Sequence, residues 1–148
     1  MLFLPTLVQR LAKHLVLVAL AVTSLRCSDS PSQPPLEPCP GDTVTLQASA
    51  GLTPLFTWLP TCGVAFLEVY PEPGGAALWT IYAESGSGPR NPIPTGIRYG
   101  TTPLNARTVA GPQPLQLGTA YRVRVSRLVC DQGELCTLQA AGDVPFQP

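Results

Sequence analysis

At 148 residues and 45% apolar content the chain has room for one globular domain and a targeting segment, and eighteen prolines and thirteen glycines set between short apolar runs favour turns and strands over helices. The formal charge is zero, but Arg10, Lys13, His14 and Arg26 lie in the first 26 residues; beyond them six arginines face nine carboxylates, with no lysine and no histidine. A net charge of −3 leaves no electrostatic footprint for nucleic acid, and the missing histidine excludes Ser-His-Asp and Cys-His catalysis once the first segment is removed.

Residues 1–26 read as a secretory signal peptide. Arg10 and Lys13 supply positive charge, and Leu15 to Val22 is an apolar run far short of the roughly 20 residues that span a bilayer. A buried helix is the competing reading, but the proline-rich stretch that follows offers it nothing to pack on. Cys27 then opens Cys27-Ser28-Asp29-Ser30-Pro31-Ser32-Gln33-Pro34-Pro35, which resembles the mature start of a bacterial lipoprotein. In that family the cysteine after the signal is diacylated, and Arg26 stands where the lipobox has a small residue. The resemblance implies a membrane anchor at Cys27, a location in the bacterial cell envelope and a tether over 27–41; cleavage after Ser24 would instead leave Cys27 as a thiol. Stable anchoring takes two or more acyl chains, at about 0.8 kcal/mol per buried methylene. The proline-rich tether cannot bury enough apolar surface to fold and reads as a semi-stiff spacer.

A single domain is expected over 42–148. Thr43 to Ala48 alternates and is rich in β-branched residues, a first strand. Pro54 to Pro60 is a second, with Phe56 and Trp58 on one face. Val64 to Tyr70 is a third, with Ala65, Leu67 and Val69 on one face and Glu68 and Tyr70 on the other. Pro71-Glu72-Pro73-Gly74-Gly75 turns the chain, and Ala77 to Tyr82 returns it. Glu84 to Pro94 reads as a loop, Ile97 to Tyr99 as a short strand, and Thr101 to Pro114 as a second loop. From Tyr121 the chain alternates strictly: Tyr121, Val123 and Val125 toward a core, Arg122, Arg124 and Ser126 toward solvent. That strand ends at Cys130, and a turn leads into Leu135 to Leu138, with Asp143 to Pro148 as a further edge segment.

The run Leu115-Gln116-Leu117-Gly118-Thr119-Ala120-Tyr121 resembles the approach to strand F of fibronectin type III domains, where a tyrosine hydroxyl bonds back across the corner. Trp58 similarly resembles the strand B tryptophan of that family, which fills the core opposite the strand F tyrosine. The resemblance implies an all-β, Ig-like antiparallel sandwich of six or seven strands, with Leu115, Gly118, Tyr121 and Trp58 as its structural corner and core. It also implies protein contact as the commonest use of such a domain.

Five cysteines are odd for an exported chain. If Cys27 carries lipid, Cys39, Cys62, Cys130 and Cys136 remain for two bridges. Cys130 and Cys136 flank the presumed hairpin, and Cys39 and Cys62 would then pair, although sequence alone leaves three connectivities open. Zinc ribbons bring ligands in on tight C-x₂-C knuckles, which are missing, so no metal is expected. Ser85-Gly86-Ser87-Gly88 lacks the Gly-Lys-Ser/Thr ending of a phosphate loop, and no cofactor is expected.

Carboxylate chemistry would have to come from Glu68, Glu72 and Glu84 around one hairpin, which also read as solvated charges. Two features suit binding. Trp79 and Tyr82, with Tyr70, could present an aromatic platform to sugar rings, though Trp79 on an alternating strand is also a core candidate. Arg122 and Arg124 form a positive stripe that could grip an anionic glycan or a carboxylate-bearing partner, or could simply be a solvated face. The sequence therefore leads to a non-catalytic envelope module that meets the membrane through its lipid and a protein or glycan through its sandwich. A carbohydrate-binding module stands second, and a small exported enzyme using carboxylates third.

Overall fold

The computed structural model describes residues 39, 41, 43–84, 90–130 and 135–148. The predicted signal peptide, Cys27, most of the predicted tether and the Ser85–Gly88 stretch lie outside the described residues. The described residues form eight strands in order: β1 (Thr45–Ala48), β2 (Leu55–Leu59), β3 (Phe66–Pro71), β4 (Trp79–Ala83), β5 (Ile97–Arg98), β6 (Ala106–Ala110), β7 (Tyr121–Cys130) and β8 (Cys136–Phe146). Every pairing is antiparallel. They form a three-stranded sheet in the order β1-β2-β5 and a five-stranded sheet in the order β6-β4-β3-β7-β8, an all-β sandwich.

Two elements differ from expectation. β6 falls inside the predicted loop Thr101 to Pro114, where two alanines and nearby prolines hide an edge strand of low intrinsic propensity. β8 runs unbroken through Ala140-Ala141-Gly142, so the two predicted pieces at Leu135 to Leu138 and Asp143 to Pro148 are one strand. Pairing with the long β7 imposes extension where local preference does not.

Alternation on β2, β3 and β7 supplies the core. Phe56, Leu67, Val69, Trp79, Ile81, Val123 and Val125 are fully buried. A chain of rings crosses between the sheets: Tyr121 lies 5.8 Å from Phe146, Phe146 5.5 Å from Phe56, Phe56 6.3 Å from Trp79, and Trp79 5.1 Å from Tyr99. The ring against Tyr121 is thus Phe146, whereas Trp58 sits elsewhere in the core with its indole N–H donating to the Cys62 carbonyl at 2.9 Å.

Before β7, Leu115 is buried and Gly118 takes a φ of 76°, a left-handed conformation that glycine reaches without a Cβ clash. That turn brings the Gln116 amide to the Tyr121 hydroxyl, to which it donates at 2.9 Å. Tyr121→Phe keeps the buried ring and deletes only this acceptor. It is expected to cost about 1 kcal/mol, read as a lowered urea midpoint at unchanged slope.

The stretch from Asn91 to Arg98 crosses from one sheet to the other, and side chains take over where its backbone pairing stops. The Asn91 side-chain amide accepts from the Leu128 amide at 2.9 Å and donates to the Leu128 carbonyl at 3.2 Å, standing in for a strand neighbour. The Thr95 hydroxyl does the same at Trp58, accepting from its amide at 2.8 Å. Both substitutions satisfy backbone groups that would otherwise be left without ladder partners.

The disulfides are Cys39–Cys62 and Cys130–Cys136. The first ties the start of the domain to the segment just after β2 and is buried. The second joins direct register partners on β7 and β8.

Candidate functional site

Alternation sends Phe66, Glu68 and Tyr70 of β3 to the outer face of the larger sheet. Register with the neighbouring strands then builds three rows: Arg107, Tyr82, Phe66 and Ser126; Thr80, Glu68, Arg124 and Asp143; Tyr70 and Arg122. Ser126, predicted to face solvent, is buried in its row beside Phe66.

The two arginines of the predicted stripe are both engaged. Arg122 donates to Glu72 at 2.6 Å and to Asp143, and Arg124 donates to Asp143 at 3.0 Å. The Tyr70 hydroxyl adds a third donor to Asp143 at 3.1 Å, and the Arg124 guanidinium lies 5.4 Å from the centre of the Tyr70 ring. The stripe is therefore neutralised from within, which weakens it as a grip for an anionic glycan.

These contacts set the protonation behaviour. The hydrogen bonds that Arg122 donates, to Glu72 first and to Asp143, push its pKa above its already high ordinary value. Partial burial would raise the Asp143 carboxyl, but the bonds it accepts from Arg122, Arg124 and Tyr70 outweigh that and hold it below its ordinary value. A depressed carboxyl stabilises the fold above its unfolded pKa, about 4, and loses that contribution as pH falls through the lower folded value. Asp143→Asn is expected to lower stability by about 1 kcal/mol at neutral pH, since the network is partly solvated. The gap to the wild type closes below about pH 4 in urea melts at stepped pH.

Trp79 has no exposed surface, so it belongs to the core and not to a sugar platform. Its indole N–H has no acceptor among the described residues. Tyr82 is half-buried, stacked on Phe66 at 6.2 Å and covered on the outside by the Arg107 guanidinium at 4.2 Å. Tyr70 lies four residues along β3 from Phe66, about 13 Å away, with Glu68 between. The predicted aromatic platform is thus two separate rings, each capped by an arginine.

Of the predicted carboxylates, Glu72 is held by Arg122, Glu68 stands opposite Thr80 and Arg124, and Glu84 follows the end of β4. Among the described residues no group of three His, Cys, Asp or Glu side chains is placed to hold a metal ion.

The described residues include two shallow depressions. One, of about 270 Å³, is lined by Glu68, Tyr70, Gly74, Gly75, Ala77 and Arg124 on the outer face of the larger sheet. The other, about 320 Å³, lies on the smaller sheet among Thr45, Gln47, Thr57, Leu59, Thr61 and Thr95, without a charged residue.

Sequence reasoning missed Phe66, Arg107 and Asp143. Alternation from Glu68 and Tyr70 places Phe66 on this face directly. Arg107 and Asp143 depend on β6 and on the β7–β8 register, for which no local signal exists. Comparison with protein-family models, with curated proteins and with solved structures gives no match to this chain.

Proposed function

We propose that this is an exported protein, held in the bacterial cell envelope by lipid at Cys27, whose Ig-like sandwich of the fibronectin type III kind is a non-catalytic binding module. The outer face of the larger sheet is its contact surface for another envelope protein. The observation that carries the reading is the locked Arg122–Glu72–Asp143–Arg124–Tyr70 network. It pre-organises both charges and a ring on a rigid sheet, and pre-organisation lowers the entropic cost of association.

The sheet orders support the fibronectin-like reading. β1-β2-β5 against β4-β3-β7-β8 is the arrangement expected of that fold, with β6 as an added edge strand, and the Gln116–Tyr121 bond matches the corner that the family resemblance implies. The two disulfides support an oxidising compartment. A glycan is the second ligand class, favoured by the Glu68–Tyr70–Arg124 depression, which offers hydrogen-bond donors, acceptors and a ring to a sugar.

Intact mass of the membrane-fraction protein, expressed with its own signal, tests the anchor. A species beginning at Cys27 with added acyl mass supports it, and an unlipidated species cut before Cys27 overturns it. Photocrosslinkers placed at Arg107 and Glu68 test the contact surface. Crosslinks to one envelope protein from these positions, and none from Thr57 on the opposite sheet, are expected. Amide shifts at Glu68 and Tyr70 on titration with oligosaccharides, without crosslinks, would transfer the site to the glycan reading.

A further inference from the structure

The two disulfides stand in opposite environments. Cys39 and Cys62 are 8% and 1% exposed within the core cluster, beside the indole of Trp58. Cys136 is exposed and Cys130 half-buried at the far end of the β7–β8 ladder. β3 accompanies β7 only as far as Ser126, through the Phe66 pairing and the Ala65 amide. Beyond that point, among the described strands, Leu128, Val129 and Cys130 pair with Leu138, Thr137 and Cys136, a two-stranded ribbon with Cys136 to Ala140 exposed. Such ribbons are marginal by themselves, and a bond between their last register partners holds them shut.

The base of the ribbon is secured without the disulfide. Asn91 brackets the Leu128 backbone, and the Arg127 guanidinium donates to the Cys39 carbonyl at 3.2 Å and to the Gly41 carbonyl. Loss of the Cys130–Cys136 bond therefore loosens only the end of the ribbon, while loss of the other bond would open the core.

We propose that Cys130–Cys136 is an exchangeable disulfide, a redox-sensitive staple whose chemical partner is a dithiol able to close its own disulfide, and that Cys39–Cys62 is the inert structural bond. Exchange needs in-line approach of a thiolate to a sulfur, which exposure at Cys136 permits and burial at Cys39 and Cys62 denies. One thiolate of the dithiol attacks the Cys136 Sγ and forms a mixed disulfide, and Cys130 leaves as a thiolate that takes a proton. The second thiolate of the partner then attacks the mixed disulfide, closing its own disulfide and releasing Cys136, which is protonated. Two electrons and two protons pass from the dithiol to the protein. The reading is independent of the lipid anchor and of the contact surface.

The test is graded reduction of the folded protein with dithiothreitol at neutral pH, quenching with an alkylating agent and mapping the labelled cysteines by peptide mass. Tryptophan emission from Trp58 and Trp79 is followed in parallel. Labelling of Cys130 and Cys136 faster than Cys39 and Cys62 by roughly ten-fold or more, with emission unchanged, is the expected result. Simultaneous opening of both bonds, earlier labelling of Cys39 and Cys62, or loss of the tryptophan signal together with the first reduction would each overturn the proposal.

Discussion

Replacing Trp58 by alanine is expected to destabilise the domain by about 3–5 kcal/mol, a large share of the roughly 5–15 kcal/mol that holds a domain of this size folded. The indole is fully buried on β2, and its N–H donates to the Cys62 carbonyl at 2.9 Å, so truncation empties a core site and strips a buried acceptor at once. Phenylalanine separates the two effects. Trp58→Phe keeps a ring but leaves the Cys62 carbonyl without its donor, whereas Trp79→Phe removes an N–H that has no acceptor among the described residues. Trp58→Phe should therefore cost about 1 kcal/mol more than Trp79→Phe, although both indoles are equally deep. Urea unfolding monitored by far-UV circular dichroism measures all three, and equal costs for the two phenylalanine variants would show that the hydrogen bond is not what distinguishes the sites.

Removal of the Cys39–Cys62 bond is the second large effect. Its loop spans a sequence separation of 23, and closing a loop of that length restricts the unfolded chain by about 3 kcal/mol, against about 2 for the separation of 6 between Cys130 and Cys136. Cys39→Ala with Cys62→Ala also opens packing beside Trp58, which adds to the entropic loss. Cys130→Ala with Cys136→Ala touches only the ribbon. The expected order of thermal midpoints is wild type, then the ribbon variant, then the core variant. Reversal of the last two would mean that the ribbon supports the core in a way its exposure does not suggest.

Much of the fold was legible in the residues because alternation is a local property. Leu67 and Val69 face inward and Glu68 and Tyr70 outward for no reason beyond the two-residue period of a strand. The corner at Gly118 and Tyr121 was equally local, a turn residue and an acceptor five residues from the amide it receives. β6 was not legible, since Ala106 to Ala110 becomes a strand by lying along β4 rather than by its own preference. Trp79 stayed ambiguous between core and surface for a related reason: alternation separates two faces without saying which is covered.

The candidate site shows where sequence stops. Counting back from the Cys130–Cys136 pair in unbroken register would set Gly142 opposite Arg124 and Asp143 opposite Val123. It would also turn Val144 and Phe146 outward. The observed register shifts by one residue between Val125 and Ser126, so Asp143 stands opposite Arg124 while Val144 and Phe146 lie opposite Val123 and Tyr121. The extra residue is Ala141, which is buried and whose carbonyl accepts from the amide of Val44, the residue just before β1, at 2.8 Å. Next to it, a Cβ at Gly142 would stand 2.9 Å from Val44 Cγ2, so only glycine lets β8 pass β1 this closely.

By itself the sequence determined which residues could form strands, which faces were apolar, and that the cysteines suited an oxidising compartment. The tertiary structure alone decided that Asp143 would meet Arg122, Arg124 and Tyr70. That outcome depends on one bulged residue held by the Val44 amide almost a hundred positions earlier in the chain, and a contact so distant leaves no periodic trace along the residues that it aligns.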